Sequence, residues 1–202
     1  MARKSKGAPD AIQLLKKDHA EVTALFTRYE DAGDRDEKAE IASEICRKLT
    51  IHALCEEELL YPAAHESIDD DLVYQAEVEH QGAKDLIARI EDADPEAENF
   101  DAMVRVLGEY VRHHVKEEES EMFPQLKRSD LDLEALGLEL AERRSELETA
   151  LGSAADEDDE AEDDEDLDDD YDDDDDDDDE DFDDDVDVEI DDDAEGDRDR
   201  AA

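Results

Sequence analysis

The chain has 202 residues, enough for one domain with appendages, and carries 72 acidic against 21 basic residues for a formal net charge of −51. So acidic a surface repels nucleic-acid phosphates and argues against unaided binding to them. No run of 18 or more apolar residues occurs, so no membrane-crossing helix is expected.

Residues 1–9 are basic but lead into no apolar segment, so they read as a flexible arm and not as a secretory signal. Beyond them the apolar residues recur at three- and four-residue steps, the period of amphipathic helices. The first segment, from about Pro9 to Tyr29, carries Ile12, Leu15, His19, Val22, Phe26 and Tyr29 on one stripe, and a break follows at Gly33. The second, from about Asp36 to Glu66, carries Ile41, Ile45, Leu49, His52, Glu56 and Leu59. Pro62 should kink or end it, because proline lacks the backbone N–H and its ring clashes with the preceding turn. Cys46 and Cys55 lie nine residues apart in this helix and can hardly pair; reduced thiols fit a cytoplasmic protein.

The third segment, from about Asp70 to Glu91, carries Val73, Ala76, His80, Ala83, Ile87 and Ile90 before a stop at Asp94-Pro95. The fourth, from about Pro95 to Lys127, carries Phe100, Met103, Leu107, Val111, His114, Glu118 and Met122. A fifth, from about Leu131 to Leu151, has no histidine and reads as a packing or capping helix. The expected fold is all-α: an up-down-up-down four-helix bundle with an extra C-terminal helix over residues 10–151. Residues 152–202 are expected to form a disordered acidic tail. Positions 156–200 hold 34 acids and two arginines, too little apolar surface and too much self-repulsion to fold.

The chemistry lies in the polar residues on these stripes. His19, His52, His80 and His114 each fall on the apolar stripe of a different helix, and Glu56 and Glu118 follow two of them by one turn, on the same face. A single histidine on an apolar face is usually a core residue. Two buried carboxylates are different, because they are costly unless paired or bound to metal. No basic side chain shares the stripes; a pair of divalent cations would neutralise them. The runs starting at His52 and His114 also both obey H-x-x-x-E-E-x-x-[LM]-[YF]-P.

With Leu14-Leu15-Lys16-Lys17-Asp18-His19 on the first helix and Glu79-His80 on the third, these motifs resemble the hemerythrin family in its bacterial histidine-histidine-glutamate (HHE) cation-binding branch. The resemblance implies a centre of two non-haem iron ions, with Glu56 and Glu118 bridging them and the four histidines completing the metal ligands. It implies a protein that binds or senses oxygen, nitric oxide or iron. Oxygen carriers of the family have two histidines four apart on the third helix, whereas Ala76 and Lys84 flank His80 here. One more coordination position is thus open, for which Glu77 is a candidate. The alternatives are a di-iron enzyme handling peroxide or nitric oxide, and a metal-stabilised scaffold whose acidic tail engages a basic protein partner. His65 reads as a surface residue and His113 as exposed or standing behind a ligand, Tyr61 and Phe123 as packing at the bundle end, Cys55 as apolar filler, Glu119 as solvent-facing, and Glu57 as solvent-facing or standing behind a ligand.

Overall fold

The computed structural model describes residues 9–157, with side chains to residue 152. Asp10 opens α1 (Ala11–Asp31) by accepting the N–H of Gln13, and Asp34 opens α2 (Arg35–Cys55) by accepting from Asp36 and Glu37. Each such cap is worth about 1 kcal/mol. α2 continues through a π-turn, Glu56–Leu60, into α3 (Tyr61–His65). Asp69 caps α4 (Asp70–Glu91) through the N–H of Asp71. α5 (Phe100–Glu117) likewise passes through a π-turn, Glu118–Met122, into α6 (Phe123–Leu126). α7 spans Leu133–Glu157, and there is no strand among the described residues.

Pro62 therefore neither ends its helix nor marks a simple kink. The N–H of Tyr61 reaches the carbonyl of Glu56, and that of Phe123 reaches the carbonyl of Glu118. Each bond spans five residues where an α-helix spans four. The widened turn takes up the room that Pro62 and Pro124 need.

The buried apolar residues form two clusters. One joins the start of α1 (Ile12, Leu15), the end of α2 (Ile51), the start of α4 (Val73) and the far end of the α5–α6 rod (Phe123, Leu126). The other joins the end of α1 (Phe26, Tyr29), the start of α2 (Ile41, Ile45), the end of α4 (Ile87, Ile90) and the start of α5 (Phe100, Val104). The four long helices hence alternate in direction. α1 packs on α2, α2 on α4, α4 on α5 and α5 on α1, which closes the ring.

α7 covers α1 and α2 and adds Leu136, Leu140 and Leu147 to the first cluster. It approaches very closely: a Cβ on Gly137 would lie 2.8 Å from both the Ala11 nitrogen and the Pro9 oxygen. The helix also outruns the apolar pattern, continuing past Leu151 to Glu157, so the start of the expected tail is helical. The tail expectation for 158–202, and that of a flexible arm at 1–8, fall outside the described residues.

Candidate metal centre

Along each long helix the stripe passes from one apolar cluster to the other, and the polar residues fall at the crossing. His19 lies between Leu15 and Val22, His52 follows Leu49, His80 lies between Ala76 and Ile87, and His114 follows Val111. All six residues singled out in the sequence meet there and all are buried, Glu56 completely.

Their ligand atoms form two overlapping groups. His19, His52, Glu56 and Glu118 offer atoms within 4.8 Å of one another, and so do Glu56, His80 and His114. Glu56 belongs to both: its Oε2 is 3.1 Å from His52 Nε2 and 3.3 Å from His80 Nε2. Glu118 Oε2 is 3.3 Å from His19 Nε2 and 3.6 Å from His114 Nε2.

The donor set fits divalent cations. His19 Nε2, both ring nitrogens of His52, Glu56 Oε1 and Glu118 Oε2 are buried with no hydrogen-bond partner. Each such orphan costs about 1–3 kcal/mol. His80 Nε2 and His114 Nε2 face each other at 3.1 Å. The protein's own compensation is protonic. Burial alone would raise the Glu56 carboxyl, yet His52 and His80 hold it well below the usual carboxylate range. Burial alone would lower His52 and His114, yet both are raised, His52 chiefly by the charge of Glu56 and His114 chiefly by that of Glu118.

Tyr61 also belongs to the centre. Its hydroxyl is 3.0 Å from His80 Nε2, 3.4 Å from Glu118 Oε1 and 3.5 Å from Glu56 Oε2. Burial, then the two glutamate charges, push its phenol well above the usual tyrosine range, so it stays protonated. The five-residue π-turn stacks Tyr61 over Glu56 and so aims it inward, which regular helical counting does not foresee. Phe123, its counterpart in the matching motif, stacks on the His19 ring at 5.8 Å.

Glu77 is not a ligand candidate: it points outward, 3.4 Å from His65 Nε2. The neighbouring Ala76 takes the inward position. His65 bonds Asp70 at 2.9 Å, and His113 is exposed.

Glu119, expected in solvent, and Glu57, expected in solvent or behind a ligand, both bond histidines. Glu57 Oε1 is 3.2 Å from His80 Nδ1 and Glu119 Oε1 is 3.1 Å from His19 Nδ1. Glu79 Oε2 is 3.0 Å from His114 Nδ1, which draws the Glu79 carboxyl down to about 2. Asp18 Oδ2 lies 3.8 Å from His52 Nδ1. The signal available in the sequence was an acid immediately beside one inward ligand on each of the four helices, His19, Glu56, His80 and Glu118.

Beside the four histidines lies a cavity of about 30 Å³ walled by Val22, Leu49, Ala83, Ile87 and Val111. That is room for one water or a diatomic molecule and little more.

A family model described as the Hemerythrin HHE cation binding domain matches residues 10–126. A protein of Nostoc sp. named "DNA nickase" is 30% identical over 144 residues, which cover 70% of this chain and 41% of that protein. This chain thus corresponds to about two fifths of that relative's length. A solved Hemerythrin HHE cation binding domain-containing protein from Mycobacterium kansasii shares the fold, with a TM-score of 0.64 and 24% identity over 76% of this chain and 94% of that one.

Proposed function

The chain belongs to the hemerythrin HHE cation-binding family, and we propose that it binds two non-haem iron ions and, through them, a small ligand such as oxygen or nitric oxide. The observation that carries this reading is the pair of overlapping ligand groups sharing Glu56 and closed by Glu118. Two cations there would satisfy His19 Nε2, His52 Nε2, Glu56 Oε1 and Glu118 Oε2 together. His19 and His52 would serve one ion, His80 and His114 the other, with the two carboxylates between them.

Iron is preferred to structural zinc because the set is imidazole and carboxylate without thiolate. Cys55 adds none: burial pushes its thiol up to about 11. Iron held this way would supply redox-active positions for the small ligand. The protein's own part is to hold those positions, to line the neighbouring pocket mainly with apolar side chains, and to present the Tyr61 hydroxyl beside both carboxylates.

That hydroxyl, a protonated donor at the centre, favours a second reading: a di-iron enzyme handling peroxide or nitric oxide, with electrons drawn from an external reductant. Turnover of either substrate by the iron-loaded chain separates it from a binding or sensing role. The nickase name of the Nostoc relative is not carried over, since a chain of net charge −51 would repel DNA phosphates. The buried free thiols of Cys46 and Cys55 support a cytoplasmic setting, and the acidic 158–202 segment suits a basic protein partner.

The deciding experiment is metal analysis with an absorption spectrum in air. Two irons per chain and a near-ultraviolet oxo-bridge band are expected. One iron, or none after reconstitution, defeats the reading.

A further inference from the structure

We propose that Glu57, Glu79 and Glu119 form a circuit of positioning carboxylates, open at His52, in which the rods of α2, α4 and α5 each hold the centre-facing histidine of the next helix. Glu57, just past α2, bonds His80 on α4, whereas Asp18 on α1 stands 3.8 Å from His52 Nδ1, beyond hydrogen-bond reach. Glu79 on α4 faces His114 on α5, and Glu119, just past α5, returns to His19 on α1. The circuit rests on the metal reading for its purpose, but its geometry stands without an ion.

The order follows from helix geometry. Neighbouring residues on a helix differ by about 100°, so the residue beside an inward ligand points along the wall toward an adjacent helix. α1 and α4 run one way and carry the acid immediately before the inward histidine. α2 and α5 run the other way and carry it immediately after the inward glutamate. Reversing a helix reverses the sense of a one-residue step. All four acids therefore turn the same way round the ring, and the three hydrogen bonds run in one sense where mixed placement would give isolated pairs; Asp18, at 3.8 Å, leaves the circuit open at His52.

A neutral imidazole has one donor nitrogen and one acceptor nitrogen. A carboxylate at Nδ1 places the proton there and leaves the Nε2 lone pair facing the centre, ready for a metal. The carboxylates are themselves anchored. Lys84 Nζ bonds both Glu57 oxygens, at 2.8 and 2.9 Å, Lys16 pairs with Glu119, and the Gln75 amide donates to Glu79 at 3.1 Å. Arg144 of α7 pairs with Asp18, so the fifth helix, outside the matched residues 10–126, also reaches the centre.

The test uses the full chain with Glu57→Leu, Glu79→Leu and Glu119→Leu, and the corresponding Gln variants. Two quantities are read: Fe(II) affinity by chelator competition without oxygen, and side-chain ¹⁵N spectra of the metal-free chain at alkaline pH. Each Leu variant is expected to weaken Fe(II) binding about 10- to 100-fold, the usual effect of removing such a partner. Each should also shift the tautomer of one histidine on the next helix: His80, His114 and His19 in turn. Gln, whose amide oxygen still accepts from Nδ1–H, should restore the tautomer and part of the affinity, which also covers a Leu variant that fails to fold. Glu77→Leu should change neither quantity. Leu variants with unchanged affinity and tautomers, or shifts confined to the mutated helix, overturn the circuit. A wild-type chain that binds no iron would defeat the metal reading alone, because the tautomer map still decides the circuit.

Discussion

Glu56 is the residue on which both ligand groups depend, so Glu56→Gln is the most informative single change. It keeps the side chain's volume in a site with no solvent exposure and removes one negative charge. The Glu56 oxygen stands 3.1 and 3.3 Å from the two imidazole nitrogens that would share its metals. At an effective dielectric constant of about 20, unit charges about 4 Å apart interact by about 4 kcal/mol. Losing that attraction should weaken each iron by about 10³-fold. The metal-free fold should barely respond. Once the carboxylate is gone, His52 loses its largest source of attraction and keeps only the weaker charge of Glu118, so burial favours its neutral form, while Glu118 stays beside His19 and His114. Metal-free stability should stay within about 1 kcal/mol of wild type while the second iron and the oxo-bridge absorption disappear. Denaturant melts of the metal-free chain, chelator competition and an absorption spectrum measure the three. A variant that kept two irons at wild-type affinity would refute the assignment of Glu56 as the shared ligand.

Three further outcomes are expected. Tyr61→Phe should retain both irons and cost the metal-free fold about 1 kcal/mol, the worth of one buried hydrogen bond, read by denaturant melts; loss of the iron would mean the hydroxyl is itself a ligand. Raised His52 and His114 stabilise the metal-free chain below their ordinary value of 6.5, and that contribution is lost as pH rises through their raised values. Depressed Glu56 contributes above its ordinary value of 4.5 and loses that only in stronger acid. Coordinated imidazoles carry no such proton, so the rise in Tm on adding iron should grow between about pH 6 and 8; a constant or shrinking rise counts against this coupling. Gly137→Ala would push a methyl against backbone at 2.8 Å and should cost about 1–3 kcal/mol by lifting α7, seen as a lower Tm with α1 to α6 still helical.

The inner residues were legible in the sequence for a simple reason. A histidine or glutamate on an apolar stripe has only one place to point, and four stripes brought together point to one place. Their neighbours were not legible in the same way. Glu57 and Glu119 sit about 100° off the stripe, where a residue faces either water or an adjacent helix. Only the ring order of α1, α2, α4 and α5 decides between the two. Glu77 misled because it stands three positions before His80. Ala76, four before, takes the inward place, and Glu77 is left on the side where His65 waits.

Tyr61 is the instructive miss. Counting by 3.6 from Glu56 brings Leu59 and Leu60 inward and turns Tyr61 aside; the π-turn resets the count. The cause was written in the chain all the same, since Pro62 and Pro124 each follow an inward glutamate by six residues. Proline has no N–H to close an α-turn and its ring crowds the carbonyl four residues before it, so the turn before it widens and swings the preceding aromatic residue toward the centre. The two copies of the device then diverge at that aromatic position. Tyr61 brings a hydroxyl to His80 and both carboxylates, while Phe123 brings a bare ring against His19. The aromatic residue at the His80 end thus carries a hydrogen-bonding hydroxyl and the one at the His19 end does not. Two ions held there would consequently sit beside different aromatic side chains, with a phenol hydroxyl at the His80 end alone.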